Sequence, residues 1–294
     1  MSIIPQLLLN GIIAGGIYAL VALGYSLVFG VLRFINFAHG ELFMIGAYIG
    51  WVFNIVFGVN ILIAILMSII ITIGVSFLIE RFVYQKLYTK GLMPPIIASF
   101  GVSIFLQALI LMIFGAQIKT YRTGEIQPGI SLPGGMIITK IQIVIIAVSI
   151  VLMIALFLYL KYTKTGKAMR AVSNNYQVAL IMGINNKTII SYIFAIGAGL
   201  AAIGGVLVGI EQNLTPTMGV MIGIKALVAT VVGGLGNIRG AVMGGFTIGI
   251  IENIGIAWLP SGYKDAIAFG ILILMLIFRP TGLLGRKTEE EIRI

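Results

Sequence analysis

Long apolar runs separated by short polar segments recur along the whole sequence. The runs cover residues 4–32, 42–57, 61–79, 96–114, 141–160, 189–210, 221–235, 241–259 and 266–278, and the last four have weaker boundaries. About 20 apolar residues in a helix cross a hydrocarbon core of about 30 Å, so most runs are long enough to span a membrane. The pattern predicts eight or nine spans, because the glycine-rich seventh run could instead be re-entrant or broken.

The composition indicates a membrane protein and excludes a water-soluble one. Hydrophobic residues make up 60% of the 294 residues and charged residues 10%, whereas a soluble domain is about a quarter charged. The first run has no lysine or arginine before Arg33, so it lacks the basic start of a signal peptide and should remain as a span. We therefore predict a single all-α, polytopic membrane domain over residues 1–294.

The basic loops predict the orientation, because cytoplasmic loops carry an excess of lysine and arginine. The loop after the third run contains Arg81, Lys86 and Lys90, and the loop after the fifth contains Lys161, Lys164, Lys167, Arg170 and Lys187. Counting spans from these loops places the N-terminus outside and the C-terminus in the cytoplasm. The C-terminal tail agrees weakly, with Arg279, Arg286, Lys287 and Arg293 against Glu289, Glu290 and Glu291. One loop opposes the scheme, since it would be external yet contains Lys119, Arg122 and Lys140; its prolines and glycines indicate a structured loop.

The sequence offers no catalytic or cofactor chemistry. Gly166-Lys167 is followed by Ala168 rather than Ser or Thr, and no glycine lies at position 161, so there is no Walker A motif. One histidine, one aspartate and no cysteine leave no metal-ligand pattern, disulfide or thiolate nucleophile. The net charge of +10 is explained by basic loops rather than by a nucleic-acid partner. We expect no catalytic residue, metal or cofactor.

Small residues recur at helical spacing in the later runs. They lie at Gly197, Ala201, Gly205 and Gly209 in the sixth run, and at Gly236, Gly240 and Gly244 near the junction of the seventh and eighth. Lipid tails give helices no hydrophobic reason to associate, so close backbone approach must supply the attraction. This spacing favours helix packing over a substrate-lining role.

The hydrophilic segment 161–188 contains a short predicted helix with both ends marked. Asn174 is placed to cap it, Gln177 lies at capping-box spacing and Gly183 supplies a stop, which predicts a helix over about 175–182. Its apolar face would contain Val178, Ala179 and Met182. Such a helix could rest on the bilayer surface or dock into a groove on a partner protein, and the pattern leaves both open.

Two blocks carry a family resemblance. The first comprises Asn10-Gly11, Tyr18-Ala19-Leu20, Ala22-Leu23-Gly24-Tyr25, Asn36-Phe37-Ala38-His39-Gly40-Glu41 and Met44-Ile45-Gly46-Ala47-Tyr48. The second comprises Gly166-Lys167-Ala168-Met169-Arg170-Ala171, Ala179 and Gly183-Ile184-Asn185. In this order, and over nearly the whole chain, they resemble the LivH-type permease subunits of branched-chain amino-acid importers of the ATP-binding-cassette class.

The resemblance implies a permease without enzymatic activity, working in a complex in the cytoplasmic membrane of a prokaryote. The implied partners are a second, LivM-like permease, two ATPase subunits resembling LivG and LivF, and an external substrate-binding protein. The second block matches the family's cytoplasmic coupling loop, which implies ATPase-coupling roles for Gly166, Lys167, Ala168, Arg170, Ala171, Ala179, Gly183 and Ile184.

The implied cargo is leucine, isoleucine and valine. Related permeases for urea and short amides carry a similar NxAHGE block, so an amide substrate is an alternative. An ion-coupled secondary transporter and a passive channel are further rivals. The ion-coupled transporter would need ionisable residues embedded in the membrane to bind the ion, and it would need no ATPase partner.

Charged residues inside the later runs are further candidates, because burying them is costly and they often mark transport pathways. Lys225 in the seventh run and Glu252 in the eighth are expected to neutralise each other as a structural pair rather than to contact a ligand. Glu211, near the outer end of the sixth run, is expected to meet the binding protein or solvent.

A polar block that contains Asn36, His39, Gly40 and Glu41 separates a long first run from a short second one. Two interpretations stay open. An ordinary surface turn that starts the second helix is the simpler, because it needs no burial. Alternatively, the block is drawn into the bilayer as a break that lines the pathway of a zwitterionic substrate.

Overall fold

The computed structural model describes residues 3–88, 90–121, 129–132 and 135–285. The helices in these ranges are α1 Ile4–Leu32, α2 His39–Trp51, α3 Ile61–Ile79, α4 Met93–Phe114, α5 Lys140–Tyr162, α6 Lys164–Asn174, α7 Tyr176–Ile181, α8 Asn186–Glu211, α9 Met218–Gly233, α10 Ile238–Gly255 and α11 Lys264–Phe278. Single π-helical turns extend α2 (Val52–Val56) and α3 (Glu80–Tyr84), and a 3₁₀ turn (Ser261–Tyr263) precedes α11. An antiparallel hairpin joins β1 Ile130–Leu132 to β2 Met136–Ile138, with Ile130 opposite Ile138.

The all-α, polytopic fold class is confirmed, and a helix occupies each predicted apolar run. By length and composition, six helices of the described ranges could cross a membrane, or seven if α9 and α10 together form one span. These two helices meet at an angle of 119°, which agrees with a broken or re-entrant seventh run. The prediction of eight or nine spans counted them separately and also counted α2, which has only 13 residues before its π-helical turn.

Burial divides the long helices into an inner and an outer group. α1, α2, α8, α9 and α10 pack against one another, and the apolar stretches of α1 and α8 are 83% and 78% buried. In α3, α4, α5 and α11, 22% or less of the corresponding stretch is buried. These outer helices expose large apolar side chains such as Ile104, Ile154 and Phe278. Such a surface suits contact with lipid or with another membrane subunit.

The predicted small-residue packing is confirmed in the inner group. A Cβ atom at Gly205 would lie 2.1 Å from the Phe43 carbonyl oxygen of α2, so only glycine allows this approach of α8 to α2. Across the junction of α9 and α10, a Cβ atom at Gly244 would lie 1.9 Å from the Ala229 carbonyl oxygen. These contacts bring the helix backbones close together.

The bundle has two ends, which we call the N-terminal side and the opposite side. On the N-terminal side α1 begins, α8 ends, and the Gln6 side chain bonds the Ile137 backbone N–H (2.7 Å) and carbonyl (3.0 Å). On the opposite side α1 ends, and the Ser173 hydroxyl of α6 donates to the Gly30 carbonyl (2.6 Å). The two strongly basic loops both follow helix ends on the opposite side. The predicted charges of residues 122–128 and of the tail from residue 286 lie outside the described residues.

Candidate coupling and translocation sites

The segment between α5 and α8 forms two short helices instead of the one predicted. The Thr163 hydroxyl accepts a hydrogen bond from the Gly166 N–H (3.0 Å), which starts α6 directly after α5. α6 continues to Asn174, so the prediction that Asn174 caps the second helix is wrong. The cap is Asn175, whose side-chain oxygen accepts from two N–H groups of α7 (3.0 Å each). The prediction missed α6 and therefore placed the cap one residue too early.

The helix α7 presents an apolar surface away from the bundle. Gly183 ends the helix with a φ of 81°, as predicted. Ala179 was predicted to share one apolar, docking face with Val178 and Met182, but it is buried (2% exposed), because a six-residue helix that packs against α6 and α8 turns one side inward. The outward surface consists of Val178, Leu180, Ile181 and Met182, and Ile181 is 84% exposed.

The other predicted coupling residues lie on or beside α6. Lys167 and Arg170 are exposed, whereas Gly166 is buried where α6 turns back on α5. A Cβ atom at Gly166 would lie 2.4 Å from the Tyr159 carbonyl oxygen, so this glycine forms the corner and is not available to a partner. The half-buried members of the set are Ala168, Ala171 and Ile184. The parts of this segment that a partner could contact are therefore Lys167, Arg170 and the outward surface of α7.

The polar block before α2 is buried inside the protein. Asn36 is 2% exposed, and its side-chain oxygen accepts hydrogen bonds from the Tyr84 hydroxyl (2.7 Å) and the Ala38 N–H (3.2 Å). The Phe37 N–H donates to the Ser99 hydroxyl of α4 (3.1 Å). The surface-turn interpretation is therefore wrong for this block, although Gly40 and Glu41 do lie in the first turn of α2. Helices on both sides supply the hydrogen bonds that bulk water would give a surface turn.

His39 and Glu41 face the middle of the inner helices. His39 packs against Gly24 of α1, and its ring lies 4.9 Å from the Tyr25 ring in a T-shaped arrangement. Glu41 accepts a hydrogen bond from the Ser103 hydroxyl (3.1 Å) through Oε1. Among the described residues, His39 Nε2 and Glu41 Oε2 are buried without a partner. Neither side chain lines either of the two cavities described below.

Lys225 and Glu252 lie together within a larger network. Lys225 Nζ lies 2.7 Å from Glu252 Oε1 and 2.8 Å from Asp265 Oδ1, so one ammonium group contacts carboxylates of both α10 and α11. The Tyr18 hydroxyl of α1 donates to Glu252 Oε2 (3.2 Å). Sequence reasoning paired the first two residues but missed Asp265, although it is the single aspartate of the chain.

A cavity opens on the N-terminal side beside this network. Its volume is about 460 Å³, and it lies between α1, α8, α9 and the ends of α5, α10 and α11. Its polar lining includes Asn10, Gln142, Glu211, Lys225, Glu252 and Lys264. An adjoining cavity of about 530 Å³ shares Val208, Gln212, Met221 and Ile222 with it. No sequence motif marks this cavity, because its lining comes from six separate helices.

The sequence matches one protein family over residues 7–276, the branched-chain amino acid transport system / permease component. The chain belongs to this permease family. It is 39% identical to the high-affinity branched-chain amino acid transport system permease protein BraD of Pseudomonas aeruginosa, over 98% of this chain and 97% of BraD. It is 36% identical to the corresponding protein LivH of Escherichia coli, over the same shares of the two chains.

A solved structure has a similar fold. A chain of the structure "PsaBC from Streptococcus pneumoniae in complex with Fab" superposes with a TM-score of 0.54 and 12% identity, covering 96% of this chain and 93% of that one. At this identity the likeness concerns the fold alone. BraD and LivH are named as permease proteins, so membership of their family agrees with a polytopic membrane protein of bacterial transport systems.

Proposed function

We propose that this chain is the permease subunit of an ATP-binding-cassette importer that carries leucine, isoleucine and valine across the cytoplasmic membrane of a prokaryote. Membership of the permease family and similarity to BraD and LivH support this substrate class. In the complex, the chain pairs with a LivM-like permease, and an external binding protein delivers the substrate. Two ATPase subunits resembling LivG and LivF hydrolyse ATP on the cytoplasmic side.

The observation that carries the coupling role is the exposed apolar surface of α7. Ile181 and Met182 are 84% and 76% exposed at the end of the bundle where α6 also carries Lys167 and Arg170. An apolar helix face flanked by basic residues fits a groove on a partner protein. Because α7 is joined to α8 by only a few residues, a force on α7 acts directly on an inner helix.

The basic loops on the α7 side of the bundle give the orientation. Both strongly basic loops lie on the opposite side, and basic loops are typical of the cytoplasm. We therefore assign the opposite side to the cytoplasm and the N-terminal side, with its two cavities, to the exterior. With this orientation the ATPases meet α7 and the binding protein meets the N-terminal side.

The buried block with Asn36, His39, Gly40 and Glu41 is our candidate for the substrate pathway. It interrupts the helices in the middle of the inner group, and discontinuous helices often form transporter binding sites. Buried polar atoms without partners, such as His39 Nε2 and Glu41 Oε2, cost free energy in a closed state. When the inner helices separate, a passing substrate can supply the missing hydrogen bonds.

The coupling role is tested with Ile181→Asp in the complete complex. A charge at this site should weaken ATPase binding or abolish ATP-driven uptake, because a carboxylate cannot be buried in an apolar groove without a partner. Leu92→Asp is the matched control, since Leu92 is an exposed aliphatic residue (58%) outside α7 and just before α4. Unchanged uptake and unchanged ATPase retention in Ile181→Asp would refute the coupling role.

A further inference from the structure

The cavity on the N-terminal side combines an apolar wall with charged groups. Its volume of about 460 Å³ falls within the range of small-molecule sites, about 300–1,000 Å³. The apolar part of the wall consists of Ile13, Ala14, Ile17, Val208, Met221 and Ile222. A ligand that suits this cavity has a compact aliphatic part and a few charged atoms.

The charged groups on the wall are not equally neutralised. Lys225 and Glu252 are ion-paired to each other. Within the described part of the chain, Glu211 and Lys264 take part in no ion pair. Glu211 accepts a hydrogen bond from the Gln142 amide (3.1 Å), and Lys264 donates one to the Asn253 side-chain oxygen (3.1 Å).

Both side chains are half-buried, so water replaces a counter-ion only in part. A ligand that brings a positive group to Glu211 and a negative group to Lys264 would recover this lost solvation. The wall therefore offers one carboxylate and one ammonium group, the complement of a zwitterion.

We propose that this cavity is a binding site for the zwitterion of an aliphatic amino acid. The ligand's ammonium group binds the Glu211 carboxylate, its carboxylate binds the Lys264 ammonium group, and its branched side chain packs against Ile17 and Met221. The proposal rests on the proposed function for the class of cargo. The position is appropriate for uptake, because the cavity lies at the end of the bundle away from α7.

The proposed contacts predict which ligands are rejected. Hydrogen bonds between two charged groups are about twice as strong as those between neutral groups. Losing one of them should weaken binding about ten- to a hundredfold. A ligand without the ammonium group, 4-methylpentanoate, and one without the carboxylate, 3-methylbutylamine, should both bind far more weakly than L-leucine, although all three share the same side chain.

Equilibrium binding of radiolabelled L-leucine to the complete complex in lipid nanodiscs, without the binding protein, tests this directly. Glu211→Gln and Lys264→Gln should each lower the affinity at least tenfold. Glu80→Gln is the matched control, because Glu80 is a buried carboxylate on the opposite side that accepts from the Tyr88 (3.2 Å) and Ser191 (3.1 Å) hydroxyls. In Glu211→Gln, leucine should also lose most of its advantage over 4-methylpentanoate.

Wild-type affinity in both cavity variants would overturn the proposal, and so would equal binding of leucine and 4-methylpentanoate to the wild-type complex. If the Glu211→Gln complex failed to assemble, the affinity of Lys264→Gln for leucine and the affinities of the wild-type complex for the two analogues would still test the proposal. The proposed function would survive each of these failures, provided that the wild-type complex still took up leucine with ATP and the binding protein. Loss of that uptake would instead refute the proposed function itself.

Discussion

Replacing Lys225 should destabilise the protein more than replacing Glu252, because the two residues have different remaining partners. Two unit charges 2.7 Å apart interact by about 6 kcal/mol at an effective dielectric constant of about 20, before desolvation is subtracted. In Lys225→Met, the Glu252 side chain (2% exposed) keeps the Tyr18 hydroxyl as its one hydrogen-bond donor among the described residues. Leaving a buried charge unpaired costs about 3–5 kcal/mol.

In Glu252→Gln, by contrast, the remaining charged residue keeps a counter-ion. Lys225 keeps its contact of 2.8 Å with Asp265, whose side chain is 43% exposed, and the Tyr18 hydroxyl can still donate to the new amide oxygen. We expect a loss of about 1.5–3 kcal/mol in the free energy of unfolding, the contribution of one hydrogen bond to a charged group. The double variant removes both buried charges, so it should be more stable than Lys225→Met alone.

The assay is the thermal midpoint of the detergent-purified complex, together with its yield from membranes. Lys187→Met is the control, because Lys187 is an exposed lysine of α8 with no ion pair among the described residues. Losses in the two single variants that simply add in the double variant would refute the pairing. Equal losses for Lys225→Met and Glu252→Gln would refute the role assigned to Asp265.

Two further predictions concern the inner helices. Gly205→Ala should strongly reduce the yield of folded protein, because the added Cβ atom would lie 2.1 Å from the Phe43 carbonyl oxygen. Gly199→Ala is the control and should be tolerated, because the nearest atom to its Cβ would be 3.7 Å away. Equal yields of the two variants would contradict this prediction. His39→Cys should react slowly with membrane-impermeant thiol reagents in the resting complex and faster during turnover, because His39 is 2% exposed. Equal and rapid labelling in both states would remove it from the pathway.

Apolar runs were sufficient to locate every helix of the described residues except α6 and α7, since each run must be buried in lipid or protein wherever the chain folds. The depth of the polar block was not predictable from the pattern. A turn at the membrane surface and a buried break have the same local sequence. The hydrogen bonds that hold this block come from far along the chain, since Tyr84 bonds the Asn36 side chain and Ser99 bonds the backbone of Phe37 and Ile35. Their contribution becomes visible only when α3 and α4 are in place.

The coupling segment shows a second limit. Its C-terminal signal was readable, since Gly183 does stop α7. The cap at its start, which is Asn175 rather than Asn174, and the side that faces outward were not. Ala179 lies inward because α6 and α8 fix the rotation of α7, which no periodicity over six residues can reveal. Charge pairing across helices was predictable only where two opposite charges interrupted neighbouring runs, as Lys225 and Glu252 do. The cavity with Glu211 and Lys264 depends on helices that are distant in sequence.

Uptake of L-leucine by proteoliposomes tests the central claim most directly. The complex would be purified through a tag on this chain and reconstituted with the binding protein outside and ATP supplied on the α7 side. We predict that ATPase subunits co-purify and that leucine accumulates only when both ATP and the binding protein are present. Accumulation driven by a sodium or proton gradient without ATP, or leucine flux that needs neither ATP nor the binding protein, would contradict it.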